Sequence, residues 1–362
     1  MQPNEVHSFP PRRPRLVPAA LFVLALATAP VLTATPAAAA PPAPRVTANT
    51  GVLLDVGTGA VLWQRSAHTP VRVASTTKIV TALVAEHVYP PRKVFLVPRA
   101  AENVDGTRFG YQAGMRVSRH NLLTTLLMVS ANDAAETLAA AYRKRGRAGF
   151  LEAMNAQASS LGCTDSTFRD PSGLDAPGHR ASAADLAILG RALLTRPELA
   201  KIVATRSTPY RWPDHHLQII SNHNHFVGYG RDPGAIGIKT GYTVAAHSTI
   251  VAAQRRGGRT LIAVALGTDH MYEDVRSMFA YGFATRPAAN APKLGRDAVA
   301  RASSVGPTQV EPVTGGAGAD AQSSDPILRR IKAAPVPALA TVAIALLVLG
   351  VMVTAFTRAG RQ

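Results

Sequence analysis

Ser75 and Lys78 stand three positions apart in VASTTKIV, residues 73–80. On a helix, residues i and i+3 share a face, so a helix beginning near Ser75 brings the amine within reach of the hydroxyl. A serine hydroxyl is a weak nucleophile until a base takes its proton. A lysine is that base when burial and a nearby cation lower its proton affinity. The chemistry in view is acyl transfer. It also requires N–H donors for an oxyanion and a proton for the leaving amine.

Two later stretches supply candidates. SAN occupies residues 130–132 and KTG residues 239–241. Ser130 can relay a proton to the leaving amine, and Lys239 is a cation that would depress Lys78. A nucleophile at a helix start brings its own free N–H and the positive end of the helix dipole. Gly241 lets backbone approach a substrate closely. The order Ser-x-x-Lys, Ser-x-Asn, Lys-Thr-Gly is the motif set of penicillin-binding proteins and serine β-lactamases, with Ala131 where those often carry another residue. Each piece also has an ordinary reading. Ser75 can cap its helix. Ser130 and Asp133 can form a capping box. Asn132 can be a turn residue, and Thr240-Gly241 a strand bend. Lys78 can be a solvated lysine, although the apolar IVTALV that follows it argues for burial.

The elements that must carry these residues follow from periodicity. GVLLDVGTGAVLW reads as a hairpin around GTG. Gly57 and Gly59 do not make a nucleotide loop, because a strand pattern follows them. STTKIVTALVAEHV has a helical apolar stripe. SRHNLLTTLLMV, NDAAETLAAAYRK, AGFLEAMNAQASSLG and SAADLAILGRALL continue the helical middle, the last opening on the capping pair Ser182 and Asp185. CTDSTFRDPSGLDAPGHR is a turn-rich loop. Strands return in GIKTGYT, HSTIVAAQ and TLIAVALGT, and YEDVRSMFAYGF is a closing helix. This order predicts an α+β fold: an antiparallel sheet formed from N- and C-terminal strands, with helices packed on it.

Composition sets the boundaries. The chain has 362 residues, 47% of them hydrophobic, which suffices for a sizeable core. Residues 1–40 show a basic stretch, an apolar run and an Ala-x-Ala site at Ala38 and Ala40, the order of a signal peptide. Residues 41–47 read as an extended leader and 48–285 as the catalytic domain. Residues 286–334, rich in Pro, Gly and Ala, read as a stalk. Residues 335–356 include the uncharged run Pro337–Phe356, long enough for a membrane helix, and 357–362 form a short tail. The expectation is an exported protein on the outer face of the bacterial cell membrane, held by one C-terminal span.

Net charge is +17. Arg45 to Thr285 holds 27 Lys and Arg against 17 Asp and Glu, so the body itself carries +10. That suits anionic wall polymers or lipid headgroups. Nucleic acid is not expected, since no basic stripe is interleaved with aromatics. A lone cysteine, Cys163, excludes an internal disulfide. His215, His216, His223 and His225 lie close in sequence, but only Asp214 accompanies them and no HExxH occurs. No metal or other cofactor is expected. The absence of G-x-S-x-G argues against a nucleophile-elbow hydrolase.

On STTK, SAN and KTG, supported by GYQAGMRVS, LEAMNAQASSLGCTDSTFRDPSGLD and GAIGIKTGYT, residues 48–285 resemble the D-alanyl-D-alanine carboxypeptidases of the low-molecular-mass penicillin-binding proteins. The resemblance implies Ser75 as acylated nucleophile, Lys78 as its base and Ser130 as proton relay. It implies Asn132 as ligand of the substrate amide, and Lys239 and Thr240 as contacts for the terminal carboxylate. Gly241 and the Tyr242 N–H would lie along the substrate, the latter forming an oxyanion hole with the Ser75 N–H. The implied partners are peptidoglycan stem peptides and β-lactam antibiotics. Many relatives place an arginine upstream of KTG for the carboxylate. Here that position falls near His223, which carries less charge at neutral pH, with Arg231 as a substitute. The loop at 162–180 has Asp165, Asp170 and Asp175 but no glutamate, which argues against a class A β-lactamase. A cross-link endopeptidase and a sensor without turnover remain as alternatives.

Overall fold

The hairpin around GTG is present: β1 (Thr50–Asp55) pairs antiparallel with β2 (Val61–Arg65). A computed structural model describes residues 41–295. After the hairpin, a 3₁₀ turn (Ala74–Thr77) runs directly into α1 (Lys78–Val88). Then come β3 (Val94–Leu96), α2 (Arg99–Glu102), β4 (Arg116–Ser118) and α3 (Arg119–Thr124). Helix α3 widens into a π turn (Thr125–Val129) before α4 (Asn132–Ala140) and α5 (Gly146–Ser160). Next are α6 (Ala183–Leu194), α7 (Pro197–Ala204), β5 (Ser207–Arg211), β6 (Leu217–Ser221) and α8 (His225–Gly228). The last elements are β7 (Ala235–Thr243), β8 (His247–Arg256), β9 (Arg259–Thr268) and α9 (Met271–Ala284).

The main sheet has the order β2-β1-β9-β8-β7, antiparallel throughout, so N- and C-terminal strands share it as the α+β reading expects. Strand alternation feeds two cores. Val52 and Leu54 of β1 and Ile262, Val264 and Leu266 of β9 join the large helical layer. Leu53, Leu261, Ala263 and Ala265 point the other way and meet Val275, Met278 and Phe279 of α9. Buried on both faces, these strands read as near-continuous apolar runs. Helix α6 lies close to the sheet at Gly190, where a Cβ would come within 3.1 Å of Ile238 and Val251 side chains. Half of the predicted capping pair forms at its N-terminus: Ser182 Oγ accepts the Asp185 N–H at 3.0 Å, while the Asp185 carboxylate accepts from the Asp165 N–H and the Ser166 hydroxyl.

The end of the expected leader is fixed to the domain. Thr47 and Ala48 N–H groups donate to the Asp274 carboxylate at 2.7 and 3.1 Å, and Arg65 donates to the Val46 carbonyl at 2.7 Å.

One expectation is corrected. Among the described residues no helix is long and apolar enough to cross a membrane. The placement on the outer face of the cell membrane by a single C-terminal span is therefore withdrawn. The residues on which it rested, 335–356, lie outside the described part, as do the signal segment 1–40 and the stalk beyond residue 295. Twenty apolar residues match the thickness of a bilayer, but composition alone does not establish a spanning helix.

Candidate active site

Ser75 sits inside the 3₁₀ turn and caps nothing: neither that turn nor α1 has a side-chain cap. The residue before it, Ala74, is held at φ 47°, a left-handed conformation that non-glycine residues adopt at a cost. This bend leaves Ser75 half-buried, while Lys78, one turn on, is completely buried. Lys78 Nζ reaches Ser75 Oγ at 2.8 Å, so the spacing does what helical geometry allows.

The other two neighbours of Nζ are acceptors. Asn132 Oδ1 lies at 2.7 Å and the Ser172 carbonyl at 2.5 Å. Burial, then the charge of Lys239, hold the Lys78 amine well below the usual lysine range, against the weaker pull of Asp170, Asp133 and Glu136. With two N–H bonds committed to Asn132 and Ser172, a neutral amine has its lone pair left for the Ser75 hydroxyl.

Asn132 opens α4 and is fixed from both sides. Its Nδ2 donates to the Asp105 carbonyl at 2.6 Å and its N–H to the Thr107 carbonyl at 2.8 Å. Asp133 does not form a capping box with Ser130. Its carboxylate instead takes the N–H groups of Phe109, Gly110 and Tyr111 at 2.8–3.1 Å. Ser130 is thereby released from structural duty. It sits half-buried at φ 66° where the π turn ends, the kind of local strain and helix defect that collects at functional sites.

Strand β7 is the outer strand of the main sheet and brings KTG to the nucleophile. It runs unbroken through Thr240 and Gly241, so these residues form no bend. A Cβ at Gly241 would stand 2.6 Å from the Ser75 N and 2.7 Å from Thr249 Oγ1, so this close approach requires glycine. Lys239 is buried, its Nζ donating to the Thr240 carbonyl at 2.8 Å, and burial pushes it down to about 7. Tyr242 is 67% exposed beside the nucleophile.

His223 lies at the same end. Its N–H donates to the Met128 carbonyl at 2.8 Å and its ring bonds the Val129 backbone. Partial burial, then the charges of Lys239 and His225, lower its proton affinity, which keeps it neutral near Lys239. Arg231 instead lies over the Tyr229 ring, 5.6 Å from its centroid. The other histidines disperse: His216 pairs with Asp214 at 2.6 Å and His225 stacks on Tyr229 and Tyr272. Among the described residues no group of three or more His, Cys, Asp or Glu is placed to hold a metal ion.

The profile of the D-alanyl-D-alanine carboxypeptidase family matches residues 36–270. The chain belongs to that family. A family member from Mycobacterium tuberculosis, D-alanyl-D-alanine carboxypeptidase DacB2, is 35% identical over 261 residues, spanning 70% of this chain and 88% of its own. A D-alanyl-D-alanine endopeptidase of Escherichia coli is 31% identical over 237 residues, spanning 64% of this chain and 74% of its own. The crystal structure of a D-alanyl-D-alanine carboxypeptidase from M. tuberculosis superposes with a TM-score of 0.66 at 34% identity, covering 71% of this chain and 98% of that one. As a member of this carboxypeptidase family the protein is a serine-type peptidase, a hydrolase.

The family motifs point to Ser75, Lys78, Asn132, Lys239 and Gly241, and the fold gathers all five. They do not point to Ser172, whose contribution is a backbone carbonyl. Asp170 holds that carbonyl in place. Its Oδ1 accepts the N–H groups of Ser172, Gly173 and Leu174 at 2.8–3.1 Å and the Ser172 hydroxyl at 2.6 Å. Its Oδ2 accepts from Arg147 at 2.6 Å, and Arg147 also holds Glu136 on α4. The signal in the sequence was the string D-P-S-G, an aspartate two residues before a serine and three before a glycine, which marks a carboxylate-capped turn.

Proposed function

We propose that the protein removes the terminal D-alanine from peptidoglycan stem pentapeptides through an acyl-enzyme on Ser75, and that penicillins acylate the same serine. Residues 48–285 are the catalytic unit in this reading. The observation that carries it is the fully buried Lys78 amine, 2.8 Å from a half-exposed serine, with its two other neighbours both acceptors.

Neutral Lys78 takes the Ser75 proton as Oγ attacks the penultimate D-alanine carbonyl. The oxyanion is held by the N–H groups of Ser75 and Tyr242, the first at the start of a helix where the dipole favours negative charge. Ser130 relays the proton to the leaving D-alanine amine. Water then attacks the ester and Lys78 acts as base again. Asn132 ligates the substrate amide as well as Lys78. Lys239, Thr240 and His223 receive the terminal carboxylate. Gly241 keeps β7 close enough to Ser75 for a substrate to lie along the strand edge.

A cross-link endopeptidase is the second reading, supported by the likeness to the E. coli endopeptidase. It uses the same acyl step with a different leaving amine. Incubating the full chain with diacetyl-lysyl-D-Ala-D-Ala, beside a Ser75→Ala control, tests the first reading. D-alanine release lost in the control is the expected result. No release from this peptide, with cleavage of cross-linked dimers, supports the second reading in its place.

A further inference from the structure

Three carboxylates act on the Lys78 amine: Asp170, Asp133 and Glu136, in that order of effect. Each favours the charged lysine and so opposes its use as a base. Asp133 is taken up by the backbone N–H groups of Phe109, Gly110 and Tyr111. The other two share one cation. Arg147 donates through Nε and Nη2 to the two oxygens of Glu136, at 2.9 and 3.0 Å, and through Nη2 to Asp170 Oδ2 at 2.6 Å. The side chains of Glu136 and Asp170 are only 13% and 10% exposed, that of Arg147 44%.

Three separate elements meet at this guanidinium: α4 through Glu136, the 162–180 loop through Asp170, and α5, whose second residue is Arg147. The first turn of α5 holds no acidic residue. A cation there stands at the unfavourable end of the helix dipole, so the stability of α5 does not account for it. From Asp170 the path to the reacting atoms is short. Asp170 Oδ1 accepts the Ser172 N–H at 2.8 Å, and the Ser172 carbonyl accepts from Lys78 Nζ at 2.5 Å and lies 3.5 Å from Ser75 Oγ.

We propose that Arg147 is a positioning residue that acts on Lys78 through Asp170 and Glu136: its guanidinium clamps the two carboxylates and offsets the negative charge they set beside the amine. It touches neither Ser75 nor Lys78. The inference rests on the reading of Lys78 as the base for Ser75. The other charges facing the amine are Lys239 on β7, which favours its neutral form, and Asp133 on α4. His179 faces Asp170 and Asp175, and burial holds its ring below its ordinary range. Without the guanidinium, Asp170 and Glu136 act on Lys78 uncompensated. The amine then keeps its proton to higher pH, and the rising limb of acylation moves to higher pH with it.

The test compares the full chain with Arg147→Gln and Arg147→Lys, following acylation by a fluorescent penicillin from about pH 5 to about pH 9. At the acid end Arg147→Gln should react roughly three- to tenfold more slowly than the unaltered protein, a modest factor because solvent reaches the guanidinium. The deficit should close as pH rises. Arg147→Lys keeps the charge and should stay within about twofold of the unaltered protein throughout. A deficit of one size at every pH is the mark of a purely structural role and overturns the proposal. So does no deficit, or one equally large in Arg147→Lys. Failure of the base reading looks different: the unaltered protein itself then has no rising limb, whereas failure of this proposal leaves that limb in place and unmoved.

Discussion

Lys78 Nζ stands 2.8 Å from Ser75 Oγ, with the lysine shut away from solvent and the serine only half-buried. The pair combines what a nucleophile and its base each need. A buried amine sheds its proton readily, and an accessible hydroxyl can meet a substrate.

Lys78→Arg tests the base directly. Arginine keeps the charge and much of the length but does not deprotonate in proteins. The rate constant for penicillin acylation should fall by roughly 10²- to 10⁴-fold, the usual range for a general base. A variant acylated at the original rate would remove Lys78 from the mechanism.

The two lysines should also shape the pH profile. Acylation needs neutral Lys78, so its rate rises as pH climbs through that lowered value. Binding of the terminal carboxylate needs charged Lys239, whose burial brings it to about 7. KM for the peptide should therefore rise above neutrality while kcat holds, since a bound carboxylate restores the charge. A KM that stays flat from about pH 6 to about pH 9 contradicts this assignment.

Lys239 carries a stability signature with the opposite sense to that of a paired lysine. Its folded proton affinity is below the ordinary 10.5, so the unfolded chain binds more protons between about 7 and 10.5. Stability contributed by this group accordingly rises with pH across that window, and its penalty is full below it. Lys239→Met should stabilise the fold near pH 7 by on the order of 1–3 kcal/mol and abolish peptide turnover. Thermal melts of both proteins at neutral and alkaline pH should converge as pH rises; a destabilised variant at neutral pH sinks the argument.

Gly241→Ala should damage the site through contact alone. The added methyl would overlap the Ser75 N and the Thr249 hydroxyl, so β7 or the nucleophile turn must move. A misplacement on the order of 1 Å costs about 10²-fold in rate, and overpacking costs about 1–3 kcal/mol in stability. Acylation kinetics and a urea titration measure the two effects separately.

Asp170→Ala should destabilise by roughly 2–4 kcal/mol, because three backbone N–H groups and Arg147 lose one buried acceptor. Burial works against the ionised form of Asp170, but the Ser172 hydroxyl and N–H, with Arg147, outweigh it and hold the carboxyl below the usual range. Its stabilisation is present above the ordinary carboxylate range and fades as pH falls through the lowered value. Acid unfolding of the unaltered protein should be steeper than that of the variant, and Asp170→Asn should recover part of the loss by capping the same turn.

The sheet was legible because its strands carry apolar residues to both faces, and the helices because their stripes recur at helical spacing. STTK, SAN and KTG were legible as side chains. Three things were not. The Ser172 carbonyl is backbone, which any residue provides, so the acceptor that completes the Lys78 environment leaves no signature of its own. The pairing of β5 with β6 was hidden by Pro209 within one strand and by exposed Leu217 and Ile219 in the other, where a half-buried alternation was expected. Asp133 resembled the distant half of a capping box, yet the 109–111 loop claimed its carboxylate through tertiary contact, which local spacing cannot report.

The proposed chemistry turns on an acyl-enzyme at Ser75. The most direct measurement is peptide mapping by mass spectrometry of the full chain after brief exposure to benzylpenicillin, beside Ser75→Ala. A single adduct on the peptide containing Ser75, absent from the variant, is the expected result. An adduct at another residue, or one that persists in Ser75→Ala, would contradict it.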